Sequence, residues 1–571
     1  MEGSHEHDAH EQHGVSPLRR LERLLRPEWR DIGATAAFAV VIGVLNLATP
    51  LAVEALVNTI AFGRLLQPLF VLCGMLFVFL AFAATLKLLQ AWVAEVIQRR
   101  IFVRVVADLA WRIPRVDQAA LDRRDGAEMM NRFFDVMTVQ KSAALLVLDG
   151  IAIVLQTLIG MAILAFYHPL FLGFDLILLT LICSVVWLLG RGAVASAIDE
   201  SRAKYETAAW LEQLARYSTS FKTHPGTAQS ASVADHLAIT YLERRTRHFG
   251  FLMRQIGFAL GMQAAAGSIL LGIGGWLVIQ GQLSLGQLVA AELIVAVILG
   301  SISKLGKHIE SFYDLLAAVD KLGHLLDLPV ERQSGPIKPA AVGPAAVEVK
   351  RMTFAYPHGA SIFPPQTFAI APGECVVLDG PAATGKSTLL DLLYALRSPA
   401  SGSLQLDGID LRDMSPLDVR TRCILLRDVE VVSGDIFHNI LFGRDEIPPT
   451  EVYRVLRQLG VHESLSRLPA GLHTVLAPNG APLSKTEAVL VVLARALVAR
   501  PGLLLIDRIL DGLDEESLSR VMETLQAIRG ETTILLVSNR EPLQDLADRR
   551  LTLPLGDPDA ILTPQAAAVA H

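Results

Sequence analysis

Apolar residues in the first 310 positions of the chain run together in six stretches, roughly 33–61, 67–95, 142–166, 169–190, 252–279 and 284–305. Each is about 20 residues or longer, the length a helix needs to cross a ~30 Å hydrocarbon core. Their connections alternate in length. Stretches one and two, three and four, and five and six are joined by short links near Gly63-Arg64, Tyr167-His168-Pro169 and Gln280-Gly281-Gln282. The other two connections are long and polar, and helical periodicity continues into them over 87–113, 196–217 and 230–262. Less helical patches at 117–126 and 221–229 fall at the tips of these long helices, where they are candidates to dock on another domain. Beyond a linker marked by Gly335-Pro336 and Gly343-Pro344, the pattern changes to short aliphatic runs, at 347–349, 375–379, 503–506 and 533–537. These predict buried strands.

Composition agrees. The chain has 571 residues, too many for one core; 52% are hydrophobic and only 19% charged, and mean hydropathy is +0.43. That balance predicts a multi-pass membrane protein in contact with lipid. A net charge of −6 gives no support for nucleic-acid binding. Positive charge is concentrated in the long connections. Arg99, Arg100, Arg104, Arg112, Arg115, Arg123, Arg124 and Arg132 lie in the first, and Arg202, Lys204, Arg216, Lys222, Arg244, Arg245 and Arg247 in the second. Excess Lys and Arg marks the cytoplasmic side, and six spans return the chain to that side.

Residues 1–30 read as a polar tail carrying His5, His7, His10 and His13, then an amphipathic helix with leucines on one face and arginines on the other. Such a helix is expected to lie on the cytoplasmic membrane surface. Cys73, Cys183, Cys375 and Cys423 form no CxxC pair and read as buried reduced thiols, not a disulfide framework. Glu54, Lys87, Asp149, Asp175 and Glu292 fall inside apolar runs. Intramembrane charge is costly unless it is paired or faces water. These five either line a substrate path or pair with one another near helix ends, and both readings stay open at this point.

The strand at 375–379 runs into Gly380-Pro381-Ala382-Ala383-Thr384-Gly385-Lys386-Ser387-Thr388, followed by an apolar helix. This is G-x-x-x-x-G-K-[ST] between a strand and a helix, a P-loop in its proper context. Backbone N–H groups at a helix N-terminus point toward phosphates. Lys386 adds a cation for the β- and γ-phosphates and Ser387 a hydroxyl for Mg²⁺. Asp507 ends a second buried strand, where P-loop folds hold the metal's water shell. ATP and Mg²⁺ are therefore the expected cofactors. The predicted fold class is an α-helical six-span transmembrane domain (31–330), a linker (331–346) and an α/β P-loop NTPase domain (347–571).

From about residue 16 the chain resembles the ABC exporter family, whose half-transporters fuse six spans to one ATP-binding cassette. Gly281-Gln282-Leu283-Ser284-Leu285-Gly286-Gln287 is similar to the family's turn into its sixth span, and Gly402-Ser403-Leu404-Gln405-Leu406-Asp407-Gly408 to an early hairpin of its cassette. The resemblance implies that Tyr356 stacks on adenine and that Asp514 belongs to the loop after the second nucleotide motif. It also implies four departures. The metal-sensing glutamine is Arg427. The L-S-G-G-Q signature reads Leu483-Ser484-Lys485-Thr486-Glu487. The general-base glutamate is Arg508, and the γ-phosphate histidine is Asn539. An arginine cannot accept a proton, and a general base commonly supplies 10²–10⁴-fold in rate.

The resemblance thus implies a half-transporter of the cell (inner) membrane with a cytoplasmic cassette that binds ATP and hydrolyses it weakly. It works with a second ABC half-transporter subunit, a competent heterodimer partner being favoured over a homodimer, on a substrate the residues do not name. The alternative is a non-transporting, ATP-gated regulatory or scaffold subunit of a membrane or secretion complex.

Overall fold

The computed structural model describes residues 16–62, 66–122, 126–339, 342–356 and 361–553. The histidine-bearing tail, the Gly63-Arg64 link, Arg123, Arg124 and Pro357 lie outside the described residues. The chain divides into two compact units. One takes the residues up to Val116 with Ala120–Pro329, the other Asp117–Ala119 with the residues from Val330 onward.

The first unit is all helix. Five described helical segments are long and apolar enough to cross a membrane: Pro17–Asn58, Leu69–Arg115, Met129–Tyr167, His224–Ile279 and Leu285–Leu326. The sixth expected span falls on the helix Pro169–Leu188, whose described apolar part, Pro169–Ser184, is shorter than the rest. Helices continue past the apolar stretches as the periodicity predicts. His224–Ile279 alone runs 56 residues, about 80 Å at 1.5 Å per residue.

Local chemistry fixes the helix ends. Ser284 and Gln287 form a capping box at the start of Leu285–Leu326, with Gln287 N–H donating to Ser284 Oγ at 3.0 Å. Gly281 supplies the left-handed φ of +71° that the tight link before it requires. The 221–229 patch, expected to be less helical, is helix from His224 onward. Thr223 caps it through Gly226 N–H, and Pro225 sits in the first turn, where a proline's missing N–H costs nothing.

The amphipathic helix at Pro17–Leu25 forms. Leu21, Leu24 and Leu25 pack on a helical core that includes Ile97, Ile101, Leu315 and Leu322. Arg20 pairs with Asp320 at 2.7 Å and with Asp327 at 2.8 Å. Its leucine stripe therefore faces protein, and of its leucines only Leu18 is strongly exposed. Lipid adds no hydrophobic force between spans, so close fit matters there: a Cβ on Gly160 would lie 3.0 Å from the Ile298 side chain.

The second unit holds two main sheets. β1 (Val347–Thr353), β2 (Gln366–Ile370), β4 (Ser401–Leu406) and β5 (Ile409–Asp410) form an antiparallel sheet in the order β2-β1-β4-β5. β3 (Cys375–Asp379), β6 (Cys423–Leu426), β9 (Leu503–Asp507), β10 (Thr533–Val537) and β11 (Arg549–Thr552) form a parallel sheet in the order β11-β3-β10-β9-β6. A small ribbon joins β7 (Gly434–Asp435) and β8 (Val475–Leu476). β9 and β10 are buried at every position. A parallel sheet covered on both faces requires that, which is why these strands read as unbroken aliphatic runs.

All four cysteines are free. Cys375 and Cys423 are buried as expected, whereas Cys73 and Cys183 are exposed on helix surfaces. Burial pushes the Cys375 thiol up to about 11, which keeps it protonated and inert.

Candidate nucleotide site

The site lies at the carboxyl ends of the parallel strands, where open α/β sheets place their ligands. β3 delivers the chain into the P-loop, and the helix Lys386–Leu393 leaves it. Three loop residues adopt positive-φ backbone, Gly380 at φ +131°, Ala383 at φ +64° and Gly385 at φ +87°. At Gly385 a Cβ would come within 2.7 Å of both Ile362 and Phe363, so only glycine fits there. The Lys386 ammonium donates to the Gly380 and Pro381 carbonyl oxygens, each at 2.6 Å. It is held folded over the loop.

A cleft of about 360 Å³ opens over this loop, lined by Tyr356, Ile362, residues 382–388 and Arg508. The structure thus brings together Tyr356, Ala382, Ala383, Thr384, Gly385, Lys386, Ser387, Thr388 and Arg508. Gly380 and Pro381 stand at its edge through the Lys386 contacts. Tyr356 Oη lies 3.2 Å from Thr388 Oγ1, and the Arg397 guanidinium sits 4.7 Å from the centre of the Tyr356 ring. Arg397 is itself anchored on Asp391 at 3.1 Å. Neither Arg397 nor Asp391 belongs to a motif read from the sequence.

Strand register explains the back wall. β6 runs parallel to β9 with Leu426 opposite Ile506, so the residues one step further, Arg427 and Asp507, emerge side by side. Arg427 Nε donates to Asp507 Oδ2 at 2.9 Å, and its Nη2 donates to the Ser387 carbonyl oxygen at 2.9 Å. Its Nη1 lies 2.8 Å from Asp391 Oδ1. Burial alone would lower the Arg427 pKa, but the two carboxylates outweigh it and the net shift is upward. The guanidinium stays charged.

Arg508 follows Asp507 with φ +58°, an uncommon backbone for a residue with a side chain. Its N–H donates to the Val537 carbonyl oxygen at 2.9 Å. The side chain is half exposed toward the cleft, and its Nε lies 3.6 Å from Asp507 Oδ1. Asn539 is exposed in the loop after β10, with its N–H donating to Asp511 Oδ2 at 3.2 Å. Asp514 caps the helix Glu515–Ala527, accepting from Ser517 N–H and Oγ at 2.9 Å each.

Residues 483–487 do not line this cleft. They lead into the helix Lys485–Val498, and Ser484 and Glu487 cap it reciprocally. Lys485 is exposed and Thr486 half-buried. An S-x-x-E box is a sequence-level helix start, and that signal was present in Ser484-Lys485-Thr486-Glu487.

Residues 364–509 match the family model described as ABC transporter. The chain is 25% identical over 530 residues to the leukotoxin translocation ATP-binding protein LktB of Mannheimia haemolytica, covering 92% of this chain and 74% of that protein. The chain thus carries an ABC transporter domain and is homologous to ABC exporters. It is also 25% identical over 515 residues to the exotoxin translocation ATP-binding protein PaxB of Pasteurella aerogenes, covering 89% of this chain and 72% of the relative. In fold it matches the structure of a bacterial Atm1-family ABC exporter with ATP bound, with a TM-score of 0.79 and 20% identity over 92% of this chain and 93% of the other. An exporter half of this family is a multi-pass membrane protein with a cytoplasmic, ATP-binding cassette, as the charge pattern and spans predict.

The five charged residues within apolar stretches do not converge on one another. Glu54 Oε2 accepts from Tyr167 Oη at 2.8 Å. Asp149 lies 3.7 Å from His308 Nε2 and is largely exposed. Lys87 is exposed on its helix. Asp175 is buried with neither carboxylate oxygen hydrogen-bonded, and Glu292 Oε2 is in the same position. Among the described residues no ion pair joins any two of the five.

Proposed function

We propose that this exporter half binds ATP, hydrolyses it weakly, and moves its substrate across the membrane together with a more competent ABC half-transporter. The carrying observation is Arg508 at the mouth of the P-loop cleft, where the family's general base belongs. A guanidinium has five donors and no acceptor, so it attracts the phosphates without deprotonating a water. Asn539 in place of the family histidine, and the Lys485-Thr486 pair in place of the signature glycines, point the same way. ATP would bind on Tyr356, residues 380–388 and the surrounding cations, and would clamp this cassette against its partner's. The partner would supply the turnover that resets the pair.

The similarity to translocation ATP-binding proteins for a leukotoxin and an exotoxin supports the transport reading. Asp175, buried with both carboxylate oxygens unbonded, and the half-buried Glu292, whose Oε2 is unbonded, are the best candidates to face a substrate path, because an enclosed carboxylate oxygen without a partner is otherwise a pure cost.

The test is ATP turnover by the purified chain in lipid, with a Lys386→Ala control and a parallel measurement of ATP binding. Binding that is lost in the control, with turnover near background, is the expected result. Turnover at ordinary exporter rates, abolished by Lys386→Ala, would overturn the reading.

A further inference from the structure

Tyr356 is held by three contacts, and one of them is a cation. Its hydroxyl lies 3.2 Å from Thr388 Oγ1, which fixes the tilt of the ring. Its ring meets Phe354 in an edge-to-face pair, with centroids 5.1 Å apart and planes at 83°. The Arg397 guanidinium lies 4.7 Å from the ring centroid, within reach of a cation–π contact. Arg397 pairs with Asp391 at 3.1 Å, and the two side chains are only 9% and 8% exposed. Thr388 and Asp391 both belong to the helix Lys386–Leu393. The helix that leaves the phosphate loop thus anchors both the ring and the cation beside it.

The two sides of the ring differ. Tyr356 lines the phosphate cleft and is 36% exposed. Arg397 does not line that cleft; with Phe354, Leu392 and Pro399 it lines a separate depression. The guanidinium therefore backs the ring from the side away from the cleft, and the cleft side is left to a ligand.

We infer that Arg397 is a positioning residue for the nucleotide base, acting through Tyr356. The inference rests on the ATP-binding reading proposed above and adds to it the residue that makes the aromatic platform. Two physical effects carry it. A ring already fixed by its neighbours loses little further freedom when a base settles on it. A cation behind the ring also draws on the negative charge of its π-face, which otherwise repels the π-face of a stacked base. Every base has such a face, so the effect is capture of a base and not choice among bases. The Arg397 charge is paired with Asp391 and lies outside the cleft lining, so its loss bears on the base more than on the phosphates.

The experiment is calorimetric titration of the full chain in lipid nanodiscs with Mg²⁺ present, once with ATP and once with inorganic tripolyphosphate, which has the phosphates and no base. The quantity read is the ratio of the tripolyphosphate Kd to the ATP Kd. For the native chain it is expected to be at least about tenfold. Arg397→Gln removes the charge and keeps a polar side chain, and the ratio is expected to fall about fivefold. Arg397→Lys keeps a cation and is expected to retain at least about half of the native ratio. An unchanged ratio in Arg397→Gln would assign Arg397 a structural role and overturn the inference, as would a ratio in Arg397→Lys no higher than in Arg397→Gln. If the native chain binds both ligands equally, Tyr356 carries no base and the inference falls while the phosphate cradle stands. If it binds neither, the ATP-binding reading fails and takes the inference with it. Should Arg397→Gln not fold, Arg397→Met, which keeps the bulk without the charge, is read in its place with the same expected fall.

Discussion

Glu487 Oε2 accepts a hydrogen bond from the Ser484 backbone N–H at 2.8 Å, while the Glu487 N–H donates to Ser484 Oγ at 3.2 Å. Two residues of the altered signature are therefore committed to closing the N-terminus of the helix Lys485–Val498. Burial pushes the Glu487 carboxyl upward, but the Ser484 backbone and hydroxyl bonds outweigh it and hold it low. The carboxylate stays ionised at the positive end of the helix. Ser484→Ala is expected to destabilise the cassette by about 1 kcal/mol. Glu487→Gln, which keeps an acceptor in the same place and restores the family residue, is expected to cost less than half of that. Chemical unfolding followed by the near-ultraviolet signal checks both, and equal losses would mean that the reciprocal bond is not stabilising.

Restoring a base tests how much of the hydrolytic deficit lies at one position. Arg508→Glu places a carboxylate beside the P-loop cleft and removes a guanidinium. Turnover is expected to rise by roughly tenfold, below the 10²–10⁴-fold a well-placed base supplies, because Asn539 and the Lys485-Thr486 pair remain. Phosphate release by the full chain in lipid measures it. No rise would assign the deficit to those other positions.

Much of this site was legible in the chain because its determinants are local. The P-loop is nine contiguous residues between a strand and a helix, and the strand that ends in Asp507 and the strand that precedes Asn539 are mostly aliphatic because both faces of their sheet are covered. Arg427 was legible only as a departure. That it bonds Asp507, Asp391 and Ser387 depends on β6 lying next to β9, 80 residues further along the chain, and no local pattern carries a strand order. Likewise His224-Pro225-Gly226 looks like a break, yet a proline in the first turn starts a helix as readily as it ends one. The charged residues of the spans were the least legible, since pairing such as Tyr167 with Glu54 depends on which helix faces meet.

Removing Arg427 entirely should cost stability. Arg427→Ala leaves Asp507 and Asp391 buried with fewer partners. Breaking a buried pair costs 3–5 kcal/mol. The Arg427 side chain is 31% exposed, so solvent screening reduces the expected loss to about 2 kcal/mol. Thermal unfolding of Arg427→Ala in the absence of nucleotide is the measurement. A loss under about 0.5 kcal/mol would show that water replaces the guanidinium without penalty.

Acid should weaken the cassette through Glu451. The Arg454 guanidinium, bonded at 2.6 Å, is the main cause that lowers its carboxyl; partial burial opposes it, and Arg500 at 2.9 Å adds to the lowering. Together they bring Glu451 from its ordinary 4.5 to about 2. A carboxyl lowered in the folded state binds its proton more readily when unfolded, so unfolding takes up a proton in the interval between the two values. The stabilisation is accordingly complete above about pH 5 and falls away as the pH drops from 4.5 toward 2. Glu451→Gln removes the titrating group. The difference in unfolding free energy between native chain and variant should be constant from pH 8 to about pH 5 and shrink steadily below it. Denaturant midpoints across that range make the comparison, and a difference that stays flat down to about pH 3 would show that the two arginines do not hold Glu451 ionised.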